Sequence, residues 1–182
     1  MDIQNEFIGA VYSGNLAEIT ALIKRGAKIG EDEILHTAAQ TGNSEVLKLL
    51  LESGGREFID QFDDLAMTPL TWAAKKGHIS SMKVLLEAGA QVNAVETRRI
   101  GNTALREVVG DGNLEVIELL LRAGADPNIP GWMQMTAKDK AESQWDEGKF
   151  ERNRKILDLL NARLREAEKI LSQPKSKKSK KR

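Results

Sequence analysis

The sequence predicts an all-α chain in which short helix-turn-helix units stack into a solenoid. Three observations predict it: glycines that recur in a fixed frame, an aliphatic stripe of helical spacing between the members of each glycine pair, and a segment rich in small residues ahead of each pair. The first glycines are Gly14, Gly42, Gly77 and Gly112, separated by 28, 35 and 35 residues. A second glycine follows each of them by twelve residues, at Gly26, Gly54, Gly89 and Gly124. A period of this length means one supersecondary unit used repeatedly, each copy burying its apolar face against the next.

Within each pair, apolar residues stand five, eight and nine positions after the first glycine. They are Ile19, Leu22 and Ile23; Leu47, Leu50 and Leu51; Met82, Leu85 and Leu86; and Ile117, Leu120 and Leu121. Spacings of three and four put them on one stripe of a helix about two and a half turns long. The second glycine suits the left-handed backbone that commonly ends a helix. Ahead of the first glycine, Leu35-His36-Thr37-Ala38-Ala39, Leu70-Thr71-Trp72-Ala73-Ala74 and Leu105-Arg106-Glu107-Val108-Val109 read as a second short helix. Paired alanines let neighbouring helices approach closely. Thr68 is placed to cap one of these helices, and Pro69 at its first position gives up no hydrogen bond the helix needs.

Composition sets the kind of core and the classes of function. The 182 residues fit one ordinary domain; 41% are hydrophobic but only 4% aromatic, so the interior is aliphatic. The net charge of zero hides an asymmetry. Residues 172–182 carry six basic side chains and no acidic one, whereas residues 1–171 carry 21 basic and 27 acidic, a net charge of −6. The chain is an acidic body with a basic tail. There is no cysteine, which excludes disulfides and thiol chemistry. Met1-Asp2-Ile3-Gln4-Asn5-Glu6 has neither the basic start nor the apolar run of a signal peptide. No apolar stretch approaches the ~20 residues that cross a bilayer. A soluble cytoplasmic chain is expected, or a nuclear one where the host has a nucleus.

Thr68-Pro69-Leu70 with Ala73-Ala74, Gly77-His78, Val84-Leu85-Leu86, Gly89-Ala90 and Val92-Asn93 resembles the ankyrin repeat consensus. Gly101-Asn102-Thr103-Ala104-Leu105 through Gly124-Ala125-Asp126-Pro127-Asn128 resembles it again, and Leu35 to Gly54 does so without the opening Thr-Pro. The resemblance covers roughly residues 5–165 and implies about five stacked units with β-hairpin fingers. It divides the chain into an N-terminal cap over 1–28, repeats over 29–62, 63–97 and 98–130, and a C-terminal capping repeat and helix over 131–171. A disordered basic tail over 172–182 follows, because Lys/Ser-rich sequence cannot bury enough surface to fold.

In the closing unit, Met135 to Ala141 resembles a first helix and Ile156-Leu157-Asp158-Leu159-Leu160 a second. The stretch between them, Glu142 to Asn153, is longer and more polar than the family pattern. A polar outer face is what a terminal repeat needs. A helical pattern runs from Lys155 to Leu171, with Ile156, Leu159 and Leu160, Leu164, Ala167, and Ile170 and Leu171 on its apolar stripe, and Pro174 ends it. Its second half either closes the stack or projects as an amphipathic arm.

Members of the family bind partners, mostly proteins, on a concave face made of finger tips and inner helices, so the resemblance implies positions. Gly54 to Thr68 and Gly89 to Thr103 span 14 residues against 12 for Gly124 to Thr136, which implies two lengthened fingers. Gly26 to Glu33 is too short for any finger. The contact positions carried over to the fingers are Asp64, Leu65 and Met67, then Arg99, Ile100 and Asn102, then Trp132, Met133 and Met135. On the inner helices they are Tyr12, Ser13, Gln40, Thr41, Lys75, Lys76 and Asp111. Leu65, Met67, Ile100, Trp132, Met133 and Met135 are apolar where tips face water. Contiguous exposed apolar patches mark interaction sites, and Trp and Met are typical anchors. Such residues also pack on their neighbours, and a single exposed apolar side chain is ordinary. Lys75 and Lys76 fit a solvated face equally well.

Signatures of catalysis are missing. His36 stands where the family places a structural histidine that braces neighbouring loops, and His78 lies in the Gly-His turn between paired helices. Without cysteine or a close cluster of ligand spacing, a zinc site has no support. Gly110-Asp111-Gly112 and Ser53-Gly54-Gly55 are too short for nucleotide loops. Asp60, Asp63 and Asp64 do not match calcium-loop spacing and read as residues that keep the second finger soluble. The expectation is a monomer with no catalytic residue, metal or cofactor, binding another protein as adaptor, scaffold or inhibitor. The alternative rests on Lys175, Lys177, Lys178, Lys180, Lys181 and Arg182, which suit nonspecific contact with nucleic acid or an anionic membrane. A nuclear address or a solubilising tail fits the same residues. No aromatics interleave the lysines, so base stacking is not indicated.

Overall fold

The computed structural model describes residues 2–30, 32–97, 101–143 and 150–172, with 150 and 167–172 described by backbone alone. Of the candidate contact residues, Arg99, Ile100 and the basic tail from Lys175 to Arg182 lie outside the described residues.

The expected pairs of helices form in order. They are α1 (Ile3–Ser13) with α2 (Leu16–Lys24), α3 (Ile34–Thr41) with α4 (Ser44–Glu52), α5 (Pro69–Lys76) with α6 (Ile79–Glu87), α7 (Ala104–Val108) with α8 (Leu114–Arg122), and α9 (Ala137–Ser143) with α10 (Phe150–Ser172). The odd-numbered helices stack on one another as an inner layer, and the even-numbered helices line up beside them as an outer layer. One aliphatic core runs the length of the stack between the layers, from Phe7 in α1 to Leu160 in α10. Ten of the twelve stripe positions read from the sequence are buried in it; Ile23 and Leu86 are partly covered. Fully burying such side chains contributes about 1.5–3 kcal/mol each, which makes the stripe the main source of cohesion.

The ends of the helices follow from local chemistry. Asn15, Asn43 and Asn113 cap α2, α4 and α8, each side-chain oxygen accepting a backbone N–H three residues on, at 3.2, 3.1 and 3.3 Å. Thr68 and Thr103 cap α5 and α7 in the same way, both at 3.2 Å. Gly42 closes α3 with φ 76°, a left-handed backbone that a side chain disfavours. The ring of His78 from the next unit lies directly over it, within 2.6 Å of where a Cβ would stand.

Two features differ from the sequence expectation. The final helix begins at Phe150, ahead of Lys155, and continues to Ser172. Among the described residues no strand forms: the connections expected as β-hairpin fingers are turns and two short 3-10 segments, Gly55–Phe58 and Trp132–Gln134. The reason is a competition for backbone groups. One cross-loop backbone bond forms, from the Asp63 N–H to the Met67 carbonyl at 3.0 Å, but the Asp63 side chain takes the N–H groups of Leu65 and Met67 at 2.9 Å, so the ladder goes no further.

The glycine positions make a graded prediction. Gly89→Ala faces open space and is expected to cost about 1–2 kcal/mol, the left-handed backbone penalty alone. Gly42→Ala is expected to cost more, because it also displaces the His78 ring. Urea unfolding of both variants measures the difference; equal losses would show that the ring gives way freely.

Candidate partner-binding surface

The second connection is built around a buried carboxylate. Asp63 is 7% exposed and accepts three hydrogen bonds, two from the Leu65 and Met67 backbone and one at 2.5 Å from the Trp72 indole N–H. Asp63 therefore organises this loop from inside, whereas the sequence suggested a solubilising role. The oxygens of a buried carboxylate must be satisfied, and here they hold the loop in shape. From the other side, His36 in α3 sets its Nε2 at 2.9 Å from the Gln61 carbonyl and 3.2 Å from the Met67 carbonyl. Carbonyls only accept, so this nitrogen carries the proton. The result aims Leu65 at solvent, 63% exposed, with Met67 half-buried beneath it.

The fourth connection is held by a larger side chain. Arg106 in α7 donates from Nε to the Met135 carbonyl at 2.7 Å, from Nη2 to the Trp132 carbonyl at 2.8 Å, and from Nη1 to the Asn102 side-chain oxygen. The same Asn102 oxygen accepts the Trp132 backbone N–H at 3.0 Å. The Trp132 and Met133 side chains point outward, 51% and 67% exposed. They border an open groove between this loop and the preceding one, which Val95, Thr97 and Pro130 also line.

At the ends of the inner helices away from these loops, residues at or just past the C-terminus occupy equivalent positions of the repeat. Ser13, Thr41, Lys76 and Asp111 are all exposed. Next to them, Lys75 bridges two units by an ion pair with Glu107 at 2.8 Å. Lys75 and Lys76 also stand over the Trp72 ring, at 5.8 and 5.9 Å from its centre, within range of cation–π attraction. Burial pushes the Glu107 carboxyl up, but hydrogen bonds from Lys75 and Asn102 and the charges of Lys75 and Lys140 outweigh it and leave its pKa below the ordinary value. Lys140 is pulled down by burial, against the attraction of Glu107, while its ammonium donates to the Arg106 and Glu107 carbonyls at 3.0 Å.

The structure thus separates the carried-over positions into two kinds. Asp64, Leu65, Trp132, Met133, Tyr12, Ser13, Thr41, Lys76 and Asp111 face solvent. Asn102, Met67 and Met135 are half-buried, with Asn102 spent on Arg106, Glu107 and Trp132, and Lys75 is tied to Glu107. The residues that shape the tips, Asp63, Trp72, Arg106 and Gly131, were not among the candidates. Only Arg106 left a signal in the sequence: a charged residue where the repeat frame places a buried position, equivalent to His36 and Thr71. Among the described residues, no group of three or more His, Cys, Asp or Glu is arranged to hold a metal ion.

The lowered pKa of Glu107 fixes a pH dependence. Its contribution to stability is complete above the ordinary carboxylate value near 4.5 and is lost as pH falls through the lower folded value. Glu107→Gln is expected to lower stability at pH 7 by about 1–3 kcal/mol, the size of a hydrogen bond to a charged group, and by progressively less in acid. Urea midpoints of both proteins from pH 7 to pH 3 give the comparison. A gap that stays constant over that range would mean the carboxylate is not held as described.

A family model described as ankyrin repeats, in three copies, matches residues 7–96, and one described as an ankyrin repeat matches residues 100–132. These spans take in most of α1 and all of α2 to α8; residues 1–6, 97–99 and those after 132 lie outside them. The matched residues, the two-layer stack and the recurring glycine turns agree: the chain belongs to the ankyrin repeat family.

Proposed function

We propose that this chain binds a partner protein through the face made by its loop tips and the ends of its inner helices, with Leu65, Trp132 and Met133 as anchors. Ankyrin repeats are generally protein–protein interaction modules, typically without catalytic activity. The observation that supports this face is where the exposed apolar side chains fall. Of the five large ones among the described residues, Leu65, Trp132 and Met133 stand on loop tips and Tyr12 near the end of an inner helix; only Leu16 lies at the start of an outer one. Leaving such side chains in water gains nothing for the fold, whereas Trp in particular dominates interface energetics. Lys76, Thr41, Ser13, Asp64 and Asp111 supply a polar rim on the same face, and the rigid stack lowers the ordering cost of association. The role that follows is stoichiometric: adaptor, scaffold or inhibitor. Among the described residues no helix is long and apolar enough to cross a membrane.

The reading is tested by capturing partners from host-cell lysate with three forms of the chain: full-length, the Leu65→Asp/Trp132→Ala double variant, and residues 1–171. A saturable protein partner that the double variant binds about 30-fold or more weakly is expected, the scale of an interface hot spot. Equal binding by the double variant would remove these anchors from the interface. Loss confined to the shortened chain would move the function to the basic tail, with the steep salt dependence of phosphate contacts if the bound species is nucleic acid.

A further inference from the structure

We propose that Arg106 is a positioning residue for the Trp132–Met133 tip, fixing its shape before any partner arrives; this rests on the tip being an anchor of the surface described above. Residues 36, 71 and 106 are equivalent, 35 apart, on the inner helices of successive units. Thr71 stays local, its hydroxyl 3.1 Å from that of Thr68. His36 reaches the loop of the next unit at the Met67 carbonyl, and Arg106 reaches the equivalent place two loops further on, the Met135 carbonyl. Among the described residues, the exposed apolar tips Leu65 and Trp132–Met133 stand on the connections that His36 and Arg106 reach.

Arg106 is 3% exposed, an expensive place for a guanidinium. Its side-chain hydrogen bonds go to the Trp132 and Met135 carbonyls and to Asn102, which itself holds the Trp132 N–H. They do not tie one core helix to another, so their effect falls on the loop. The loop needs such a hold. Met133 and Gln134 both sit in left-handed backbone, φ 59° and 58°, where neither residue type settles unaided. Trp132 and Met133 point outward and so contribute little packing of their own. Gly131 completes the clamp: a Cβ there would come within 2.8 Å of the Arg106 Cδ and would collide with the Asn102 oxygen, so a side chain at this point would displace the residues that hold the loop. Inside the loop, the Gly131 N–H meets the Met135 carbonyl at 3.0 Å, the Gln134 N–H meets Gly131 at 3.0 Å, and the Met135 N–H meets Trp132 at 3.3 Å. These three bonds persist only while the flanking carbonyls are held in place. A preformed Trp–Met tip suits a partner that offers a rigid apolar pocket, because neither side has a loop to order.

The test is amide hydrogen exchange by NMR on the full chain without any partner, for the parent protein and Arg106→Ala, Arg106→Lys and Arg106→His. In Arg106→Ala, exchange at Gly131, Trp132, Gln134 and Met135 is expected to rise at least tenfold while amides of α3 and α4 keep their protection. Arg106→Lys keeps the charge but lacks the planar fork and is expected to behave like alanine. Arg106→His copies the His36 contact and is expected to restore part of the protection. If Arg106→Ala does not fold, Asn102→Ala carries the same readout through the Trp132 N–H. Unchanged exchange at the tip, or acceleration spread evenly over the stack, would overturn the proposal. Because no partner is present, this measurement can fail while partner binding through the tip stands, and the converse also holds.

Discussion

Each unit is seated on the next at the left-handed glycine between its two helices. The polar side chain that opens the outer helix of the following unit lies against that glycine, Asn43 on Gly14, His78 on Gly42 and Asn113 on Gly77, and in the closing unit Arg152, in the first turn of α10, lies on Gly112. A Cβ at Gly14, Gly42 or Gly112 would come too close to the residue above it, so these positions set how near two units approach as well as how the chain turns. Asn43 and Asn113 use the oxygen to cap their own helix and lay the amide nitrogen on the neighbour. His78 gives up the cap and donates instead from Nε2 to the Gln40 carbonyl at 3.0 Å. The aliphatic stripes supply cohesion without direction. The glycine seat supplies the register that lets those stripes interdigitate.

Between the seats, the connections are shaped by side chains reaching forward from the inner helices. In two of them a single cross-loop backbone bond forms, Asp63 N–H to Met67 and Gly131 N–H to Met135, both at 3.0 Å. His36 and Arg106 lie on the same carbonyls and Asp63 on the Leu65 and Met67 N–H groups, and the tips take turn and 3-10 forms. Further links run from unit to unit along the connections. Asn93 exchanges bonds with the Gly124 carbonyl and the Asp126 N–H at 3.1 and 2.8 Å, and Asp60 accepts from the Gln91 N–H at 2.8 Å. Within the N-terminal cap, the Gln4 amide ties the start of α1 to the outgoing connection by pairing with both backbone groups of Lys28, at 2.8 and 3.0 Å. The bonds of Asn93 and Asp60 join backbone to side chain across units and resist sliding, which nonpolar packing alone permits.

The polar network around Glu107 joins the two parts of the candidate surface. Lys75 on the inner-helix row, Glu107, Asn102, Arg106 and the Trp132 loop form one hydrogen-bonded chain. A partner that competes for Lys75 acts on the same set of bonds that carries the apolar tip. Low local dielectric strengthens each link while making any unpaired member costly, so the chain holds together as a whole.

Periodicity determined the outer helices α2, α4, α6 and α8 with their buried stripe and the inner helices α3, α5 and α7, and the family resemblance the closing pair. A helix nine residues long with apolar positions at three- and four-residue spacing has one way to bury them, and the glycine frame marks where each begins and ends. The terminal helix was legible in extent at its C-terminal end but not at Phe150, because the polar residues before Lys155 carry no stripe. The tips were legible as apolar residues at variable positions; Leu65, Trp132 and Met133 were read that way and do face solvent. What only the tertiary structure decided is which residues hold those tips. Asp63 looked like a solubilising acid, Trp72 like an ordinary helix position, and Arg106 like a charge at a buried position with no visible partner, until partners nine residues away for Asp63 and Trp72 and 26 and 29 residues away for Arg106 came within hydrogen-bonding distance. Local pattern records which face of a helix is buried. It does not record which loop carbonyl a buried donor will find, because that pairing exists only once neighbouring units are stacked.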